Sequence, residues 1–144
     1  MTKLKFLTKS CGKISSLADF WHLDEHNIPA KPGVYLLVAR PGVDFLYPKG
    51  RSPVYYIGQT QSLRRRLSGH LKWHNEVRFD CRHGYSISEP RHEYGGVFGG
   101  RYCYIETRRG QTAKSLEDFV LAEFAKCFHS FPVANSAGAW KHID

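Results

Sequence analysis

Tyrosine, arginine and histidine side chains are concentrated in the stretch "PVYYIGQTQSLRRRLSGHL", which runs from Pro53 to Leu71. A further tyrosine, Tyr35, lies upstream in the apolar run "GVYLLVA". Phenol and imidazole groups can relay protons, and a guanidinium group can bind an anion such as phosphate through paired hydrogen bonds. These residue types are therefore those of a site that holds a phosphodiester and moves a proton beside it.

The three consecutive arginines of this stretch point to different sides of a predicted helix, because successive helical residues are turned by about 100°. Arg66 and His70 are four residues apart and share one face, which borders the leucine stripe of the helix. Arg66 is thus the cation best placed to reach a phosphate beside the sheet. Arg64 and Arg65 are interpreted as a solvated helix face or as additional cations for the substrate.

Glu117 is an anomaly in the amphipathic segment "SLEDFVLAEFAKCF", because it falls between Phe124 and Phe128 on the helical wheel, inside the apolar face. The helix dipole favours acidic residues in the first turn and accounts for Asp118, but it does not explain the inward direction of Glu117. A carboxylate in that position needs a partner. We expect either Arg66 or a metal ion to compensate its charge.

Two β-branched and aromatic runs, at 33–39 and 53–58, predict strands. The intervening segment "RPGVDFLYPKGRSP" contains three prolines and two glycines, too many for a helix. The two strands are therefore expected to pair antiparallel through a long hairpin loop. Tyr35 and Tyr56 then become neighbours on one face of the sheet.

Three leucines at intervals of four, Leu63, Leu67 and Leu71, predict a helix that begins at Thr60 or Ser62. The run "RYCYIET" alternates as a third strand does. Residues 74–100 show no sustained period and predict a long loop with at most one short element.

Two capped helices are expected outside this region. The segment "SLEDFVLAEFAKCF" predicts a helix that is capped by Thr112 or Ser115, with Phe119 and Cys127 in its buried face. Near the N-terminus, Ser16 is expected to cap a short helix.

This order of elements predicts a small layered α+β domain with a central three-stranded antiparallel sheet flanked by helices. A chain of 144 residues suits one domain with one core. We interpret residues 1–32 as a basic N-terminal arm with a short helix, and residues 33–144 as the main body of the same domain.

The chain carries 21 lysines and arginines against 13 acidic residues, a formal net charge of +8. Such a balance favours a polyanionic partner, either nucleic acid or an anionic membrane surface. No apolar stretch approaches the roughly 20 residues that cross a bilayer, so a membrane span is not expected. The sequence predicts a cytoplasmic or nucleoid-associated protein and leaves mitochondrial import open, because no acidic residue precedes Asp19.

The cysteines are scattered and form no C-x-x-C pair; they are Cys11, Cys81, Cys103 and Cys127. We expect reduced thiols in a cytosolic protein. A structural zinc site is the weaker alternative, because Cys81 with His83, and His70 with His74, do not complete a tetrahedral set.

The motif residues resemble the GIY-YIG nuclease family. The triplet "GVY" at 33–35 stands where that family has its first signature triplet, and "YIG" at 56–58 matches the second. Arg66 and His70 have the offsets of the family's helical arginine and histidine. Glu117 opens a helix after the third strand, as the family's acidic metal ligand does.

The resemblance implies a divalent-metal-dependent endonuclease that leaves 3′-hydroxyl and 5′-phosphate ends. It implies that Glu117 binds Mg²⁺, for which Mn²⁺ can substitute, and that Arg66 neutralises the charge that develops on the phosphorus. Tyr35 would be the base or base relay for the attacking water. Tyr56 and His70 would orient water and phosphate, and His70 is a second candidate for the base.

Substrate contacts are expected from Gly58 and from Asn135, which corresponds to a downstream asparagine of many family members. The hairpin loop, longer than is usual in the family, adds the cations Arg40, Lys49 and Arg51. The segment "RFDCRHGYSISEPRHEY" is a second candidate for phosphate contact and base stacking.

DNA, double-stranded or branched, is the expected partner, with a homodimer or an accessory protein supplying specificity. A catalytically inactive nucleic-acid-binding module on the same fold is the alternative. A membrane-surface or ribosome-associated protein is a third interpretation, and only the net charge favours it.

Overall fold

The computed structural model describes residues 4–69 and 90–135, with residues 90–93 described by their backbone alone. This part of the chain forms two sheets and three α-helices, with short 3-10 helices near the N-terminus. The strands are β1 (Ala18–Asp19), β2 (Gly33–Ala39), β3 (Phe45–Tyr47), β4 (Gly50–Ser52), β5 (Val54–Thr60) and β6 (Gly99–Glu106). The helices are α1 (residues 63–69), α2 (Pro90–Phe98) and α3 (Ala113–Phe128).

The larger sheet has the strand order β1-β6-β2-β5 and is antiparallel throughout. The predicted α+β layered fold and the antiparallel pairing of the two motif strands are confirmed. The predicted number of three strands is wrong, because Ala18 and Asp19 pair with Tyr102 and Arg101 as a fourth strand. Every residue of β2 is buried, as expected for a strand with neighbours on both sides.

The hairpin loop between β2 and β5 contains a second sheet, the antiparallel ribbon β3–β4. Gly50, with φ of 95°, closes its turn in a conformation that suits glycine. The buried ring of Tyr47 packs edge-on against Phe124, with centroids 5.1 Å apart. The ribbon is therefore anchored to the core of the domain along one of its faces.

One face of the larger sheet packs under α3, and we call it the α3 face. Its side chains are mostly aliphatic: Val34, Leu36, Val38, Ile57, Cys103 and Ile105. The ring of Phe6 lies 5.0 Å from that of Phe124, so the N-terminal segment contributes to the same core. The prediction that Phe119 and Cys127 are buried is wrong, because the buried stripe of α3 is narrower and repeats mainly at every fourth residue.

The opposite face carries Tyr35, Tyr56, Tyr102 and Tyr104, and we call it the tyrosine face; Tyr55 and Tyr94 pack in the same cluster. Helix α1 covers part of it through Leu63 and Leu67, which confirms two members of the leucine stripe; Leu71 lies outside the described residues. Ser62 caps this helix, because its Oγ accepts a hydrogen bond from the Arg65 amide at 3.3 Å.

Gly33 permits the close packing of α1 on the tyrosine face. A Cβ atom at this position would lie 2.7 Å from Cδ1 of Leu63 and 2.4 Å from the carbonyl oxygen of Ile105. The glycine of the first triplet is thus required by space, since any side chain would push the helix away from the sheet.

The N-terminal segment differs from the predicted helix. Its residues form β1 and a 3-10 turn, Phe20–His22, whose cap is Asp19 and not Ser16. The Asp19 carboxylate accepts a hydrogen bond from the Trp21 amide at 2.8 Å. A two-residue strand followed by one turn leaves no room for the helical period that the sequence indicated.

The loop predicted over residues 74–100, in which one short element was allowed, contains the helix α2 at its C-terminal end, and β6 begins at Gly99. The part of this segment before Pro90 lies outside the described residues. At the other predicted cap, Thr112 Oγ1 accepts a hydrogen bond from the Ser115 amide at 3.0 Å, which settles the alternatives in favour of Thr112. No helix in the described part of the chain is long and apolar enough to cross a membrane.

Candidate functional site

The tyrosine face is organised in two rows that run across the strands. Tyr104, Tyr35 and Gly58 form one row, and Tyr102, Leu37 and Tyr56 form the next. Residues that pair directly across strands point to the same face, so the register brings the four tyrosines together. The ring centroids of Tyr35 and Tyr56 are 5.9 Å apart, which confirms that they are neighbours.

Gly58 makes room for these two rings. A Cβ atom on Gly58 would lie 2.7 Å from both Cζ and Oη of Tyr35, and 2.6 Å from Cε2 of Tyr56. Both rings therefore converge over the backbone of the second triplet. Gly58, which was predicted to contact substrate, lets two phenol rings approach the same point of the backbone.

A bulge in β5 separates Tyr55 from Tyr56. Leu37 pairs with Tyr56, whereas the next residue, Val38, pairs with Val54, so Tyr55 is the extra residue. Tyr55 is buried, and burial raises the pKa of its phenol. Tyr56 is only half-buried. The bulge thus assigns one tyrosine of the pair to the core and the other to the border with solvent.

Tyr35 is only 2% exposed, whereas Tyr56 and Tyr104, on either side of it, are half-buried. A ligand that approaches this face therefore meets the two outer tyrosines first. The inner phenol is held by packing among its neighbours, which suits a group that must keep one orientation.

Asn135 is bound to the second triplet from the edge of the sheet. Its Oδ1 accepts a hydrogen bond from the Ile57 amide at 2.8 Å, and its Nδ2 donates to the Ile57 carbonyl at 2.8 Å. Asn135 was predicted to contact substrate, and the structure directs its amide to the backbone between Tyr56 and Gly58. It therefore positions the site residues of β5.

The three arginines of α1 differ in what they contact. Arg64 Nε donates a hydrogen bond to the Ile28 carbonyl at 2.8 Å, which ties α1 to the N-terminal segment. Arg65 and Arg66 are exposed, and their guanidinium groups form no hydrogen bond or ion pair with the residues that the structure describes. His70 lies outside the described residues.

The Glu117 side chain is 16% exposed, as its place on the helical wheel indicated. Among the described residues its partner is Lys114 and not Arg66: Lys114 Nζ lies 3.1 Å from Glu117 Oε1 and 3.1 Å from Asp118 Oδ1. These hydrogen bonds, to Asp118 first and to Glu117 second, raise the pKa of Lys114.

Glu117 belongs to the helix that covers the α3 face, so the structure does not place it with the tyrosines on one face of the sheet. Among the described side chains, those of residues 4–69 and 94–135, no three of histidine, cysteine or acidic type form a group that could hold a metal ion. A lone carboxylate still fits Mg²⁺, which commonly uses one or two carboxylates together with water and substrate phosphate.

The three predicted cations of the hairpin loop differ in what they contact, as the arginines of α1 do. Lys49 and Arg51 are exposed on the ribbon β3–β4, next to Leu46, which is 76% exposed. Arg40 instead donates a hydrogen bond to the Val97 carbonyl at the end of α2. Of the three predicted substrate contacts in this loop, two are presented to solvent, while the third is held against a helix end. Nearly all of the other predicted loop, "RFDCRHGYSISEPRHEY", lies outside the described side chains.

Tyr102 and Tyr104 were not among the predicted site residues. Their alternation in "RYCYIET" indicates a shared face, but only the register against β2 shows that this face is the one with Tyr35.

Comparisons of the chain with family models, with curated proteins and with solved structures found no match.

Proposed function

We propose that the chain is a divalent-metal-dependent DNA endonuclease of the GIY-YIG type, which hydrolyses a phosphodiester to 3′-hydroxyl and 5′-phosphate ends. The observation that carries the proposal is the convergence of Tyr35 and Tyr56 over Gly58 on adjacent antiparallel strands. The two sequence triplets thus act as one constellation of phenols beside a side-chain-free stretch of backbone.

The side chains around this constellation have distinct tasks in the proposal. Tyr35, held in one orientation by packing, accepts or relays the proton of the attacking water. Tyr56, at the border with solvent, donates a hydrogen bond to the phosphate or the water. Arg66 pairs with the phosphate and offsets the negative charge that grows on it during attack, since its guanidinium is exposed and uncommitted among the described residues.

Glu117 is the residue that would hold the metal, because it offers a half-buried carboxylate of the type that Mg²⁺ or Mn²⁺ prefers. When bound, the ion supplies stabilisation of negative charge on the leaving oxygen. Lys114 forms an ion pair with this carboxylate. Because the Lys114 side chain is exposed, it can move away from Glu117 at small cost when a metal ion binds.

DNA binding is attributed to the net charge of +8 and to the ribbon β3–β4. Lys49 and Arg51 are exposed on a ribbon that is anchored through Tyr47, so they can contact phosphates from a defined position. We propose double-stranded or branched DNA as the substrate, with selection by this ribbon, a second copy of the chain or an accessory protein.

A nucleic-acid-binding module without catalysis is the second candidate. Two observations favour it: Lys114 already neutralises Glu117, and Glu117 lies on the helix that covers the α3 face, away from the tyrosine face. The two candidates agree on DNA as the partner and differ only in the chemistry.

The deciding experiment compares cleavage of supercoiled plasmid and branched oligonucleotides by wild type, Glu117→Gln and Asp118→Asn, with Mg²⁺, Mn²⁺ or EDTA. Asp118 is the matched control, because it binds the same lysine from the neighbouring position and is well exposed. We expect cutting that requires metal, that Glu117→Gln abolishes and that Asp118→Asn retains.

No cutting by any of the three proteins, with salt-sensitive DNA binding by all, would favour the binding module. Equal cutting by wild type and Glu117→Gln would contradict the role of Glu117 while leaving a nuclease in place.

A further inference from the structure

The register of the sheet places a tyrosine directly across from Tyr35 on the side away from Gly58. This residue is Tyr104 of β6, and its ring packs against the cluster that contains Tyr35 and Tyr102. The row Tyr104, Tyr35, Gly58 therefore extends the candidate site onto a third strand.

The hydroxyl of Tyr104 is uncommitted among the residues that the structure describes. The side chain is half-buried, and it forms no hydrogen bond with the residues that the structure describes. Burial and the nearby carboxylate of Glu106 raise its pKa, so the phenol remains protonated and acts as a donor at neutral pH. Lys31 lies 3.9 Å from Glu106 and partly offsets that negative charge.

The backbone of Tyr104 is held on both sides. On one side it pairs with Tyr35 in β2. On the other, its carbonyl accepts from the Ser15 amide at 2.9 Å, and its amide donates to Ser15 Oγ at 2.8 Å. The phenol therefore projects from a fixed point, and its position is set before any ligand binds.

We propose that Tyr104 is a further substrate-contacting residue, whose hydroxyl donates a hydrogen bond to a phosphate oxygen of the bound nucleic acid. Tyr104 would make this contact beside Tyr35, with which it pairs across the strands. The inference rests on the proposed nucleic-acid function and names a contact that the motif does not include. A phosphodiester oxygen accepts hydrogen bonds and cannot donate them, so a protonated phenol in this row matches it.

Tyr102 supplies the matched control. It lies on the same strand and the same face, two residues away, but it is buried and its ring packs on Phe20 with centroids 4.7 Å apart. Tyr102→Phe therefore removes the same chemical group, a phenol hydroxyl, at a buried position that a ligand does not reach.

The test measures binding of a labelled DNA duplex in EDTA, by fluorescence anisotropy over a range of salt concentrations, for wild type, Tyr104→Phe and Tyr102→Phe. We expect Tyr104→Phe to raise Kd about tenfold, as the loss of a hydrogen bond to a charged group does. The slope of log Kd against log salt should not change, because no cation is removed. Tyr102→Phe should bind within about twofold of wild type.

Thermal unfolding of each variant separates this role from a structural one. Tyr104→Phe retains the ring and should melt within about 1 °C of wild type, since the lost hydroxyl has no partner in the described structure. The inference is overturned if Tyr104→Phe binds DNA as wild type does, or if both tyrosine variants weaken binding equally. Absence of DNA binding by the wild type would overturn the proposed function and this inference together.

Discussion

The two faces of the larger sheet both contain fully buried side chains, such as Leu36 and Tyr35, but they are built from different chemistry. The α3 face is closed by hydrocarbon, with Leu116, Val120 and Phe124 of α3 on the aliphatic side chains of the strands. The tyrosine face buries phenols under α1. The degree of burial alone therefore does not distinguish the core from the candidate site in this molecule. The polar atoms that each face carries distinguish them.

This difference shows how one sheet can serve two purposes. Because side chains alternate along each strand, every second residue of β2 belongs to the α3 face and contributes to stability. Of the residues between them only Tyr35 carries a hydroxyl group, and Tyr56, Tyr102 and Tyr104 add theirs from the neighbouring strands β5 and β6. Substitutions on the two faces should therefore have separable effects on folding and on activity.

The largest expected effect is the loss of packing on the α3 face. Phe124 is fully buried against Phe6, Tyr47 and Phe128, so Phe124→Ala should lower the free energy of unfolding by about 3–5 kcal/mol. Urea denaturation measures the change. Phe119→Ala, on the exposed side of the same helix, should cost far less, and equal losses would show that the assigned buried stripe is incorrect.

On the tyrosine face, Gly58→Ala should reduce stability by about 1–3 kcal/mol and abolish cleavage, because a methyl group there overlaps the rings of Tyr35 and Tyr56. Gly100→Ala is the matched strand control, since a Cβ at Gly100 meets no atom within 4 Å. Denaturation and plasmid cleavage are measured on both variants. A fully active Gly58→Ala enzyme would contradict the convergence of the two rings as the basis of activity.

A smaller effect is expected at the edge where Asn135 pairs with Ile57. Asn135→Ala removes two hydrogen bonds of 2.8 Å and should cost about 1–2 kcal/mol. Cleavage should fall by more than the loss of folded protein explains, because Tyr56 and Gly58 flank Ile57. If the activity of Asn135→Ala falls only in proportion to its folded fraction, Asn135 has a purely structural role.

A further effect, of about 2 kcal/mol by pH 10.5, is expected from the titration of a buried thiol on the α3 face. Burial raises the pKa of Cys103, on the α3 face, from 9.0 to about 12. Between these values the unfolded thiol releases its proton and the folded one keeps it, so stability falls as pH rises, by about 1.4 kcal/mol per pH unit.

Urea denaturation in reducing buffer at several pH values from 8 to about 10.5 tests this slope. Cys103→Ala should remove this component of the decline, while Cys127→Ala, which removes an exposed thiol, should retain it. Parallel curves for Cys103→Ala and wild type would show that other groups cause the alkaline loss, such as Tyr55, whose pKa burial also raises.

The sequence was sufficient where an element carries its own periodic pattern. Strand β2 is apolar along its length, and the leucine stripe of α1 repeats every four residues, so both were predicted at their observed positions. The proximity of Tyr35 and Tyr56 followed from a single antiparallel pairing of neighbouring strands.

The missed features lack a local pattern. Strand β1 has only two residues, and α2 contains two glycines and little amphipathic character, so neither has a readable period. The contacts of Ser15 with Tyr104 and of Asn135 with Ile57 join residues that are 89 and 78 positions apart in the chain. The partner of Glu117 was missed for another reason. An exposed lysine one helical turn earlier, Lys114, forms an ion pair with the carboxylate, so the charge does not require a distant cation.

The pairing of the C-terminal segment with β5 also bears on how the protein behaves at high concentration. A sheet edge with free amide and carbonyl groups is a template on which a second chain can add as a strand. Here the Ala134 amide donates to the Tyr55 carbonyl at 2.8 Å, and Asn135 takes both backbone groups of Ile57. These backbone groups are thereby withheld from edge-to-edge association, so the residues that position the site also protect the protein from aggregation.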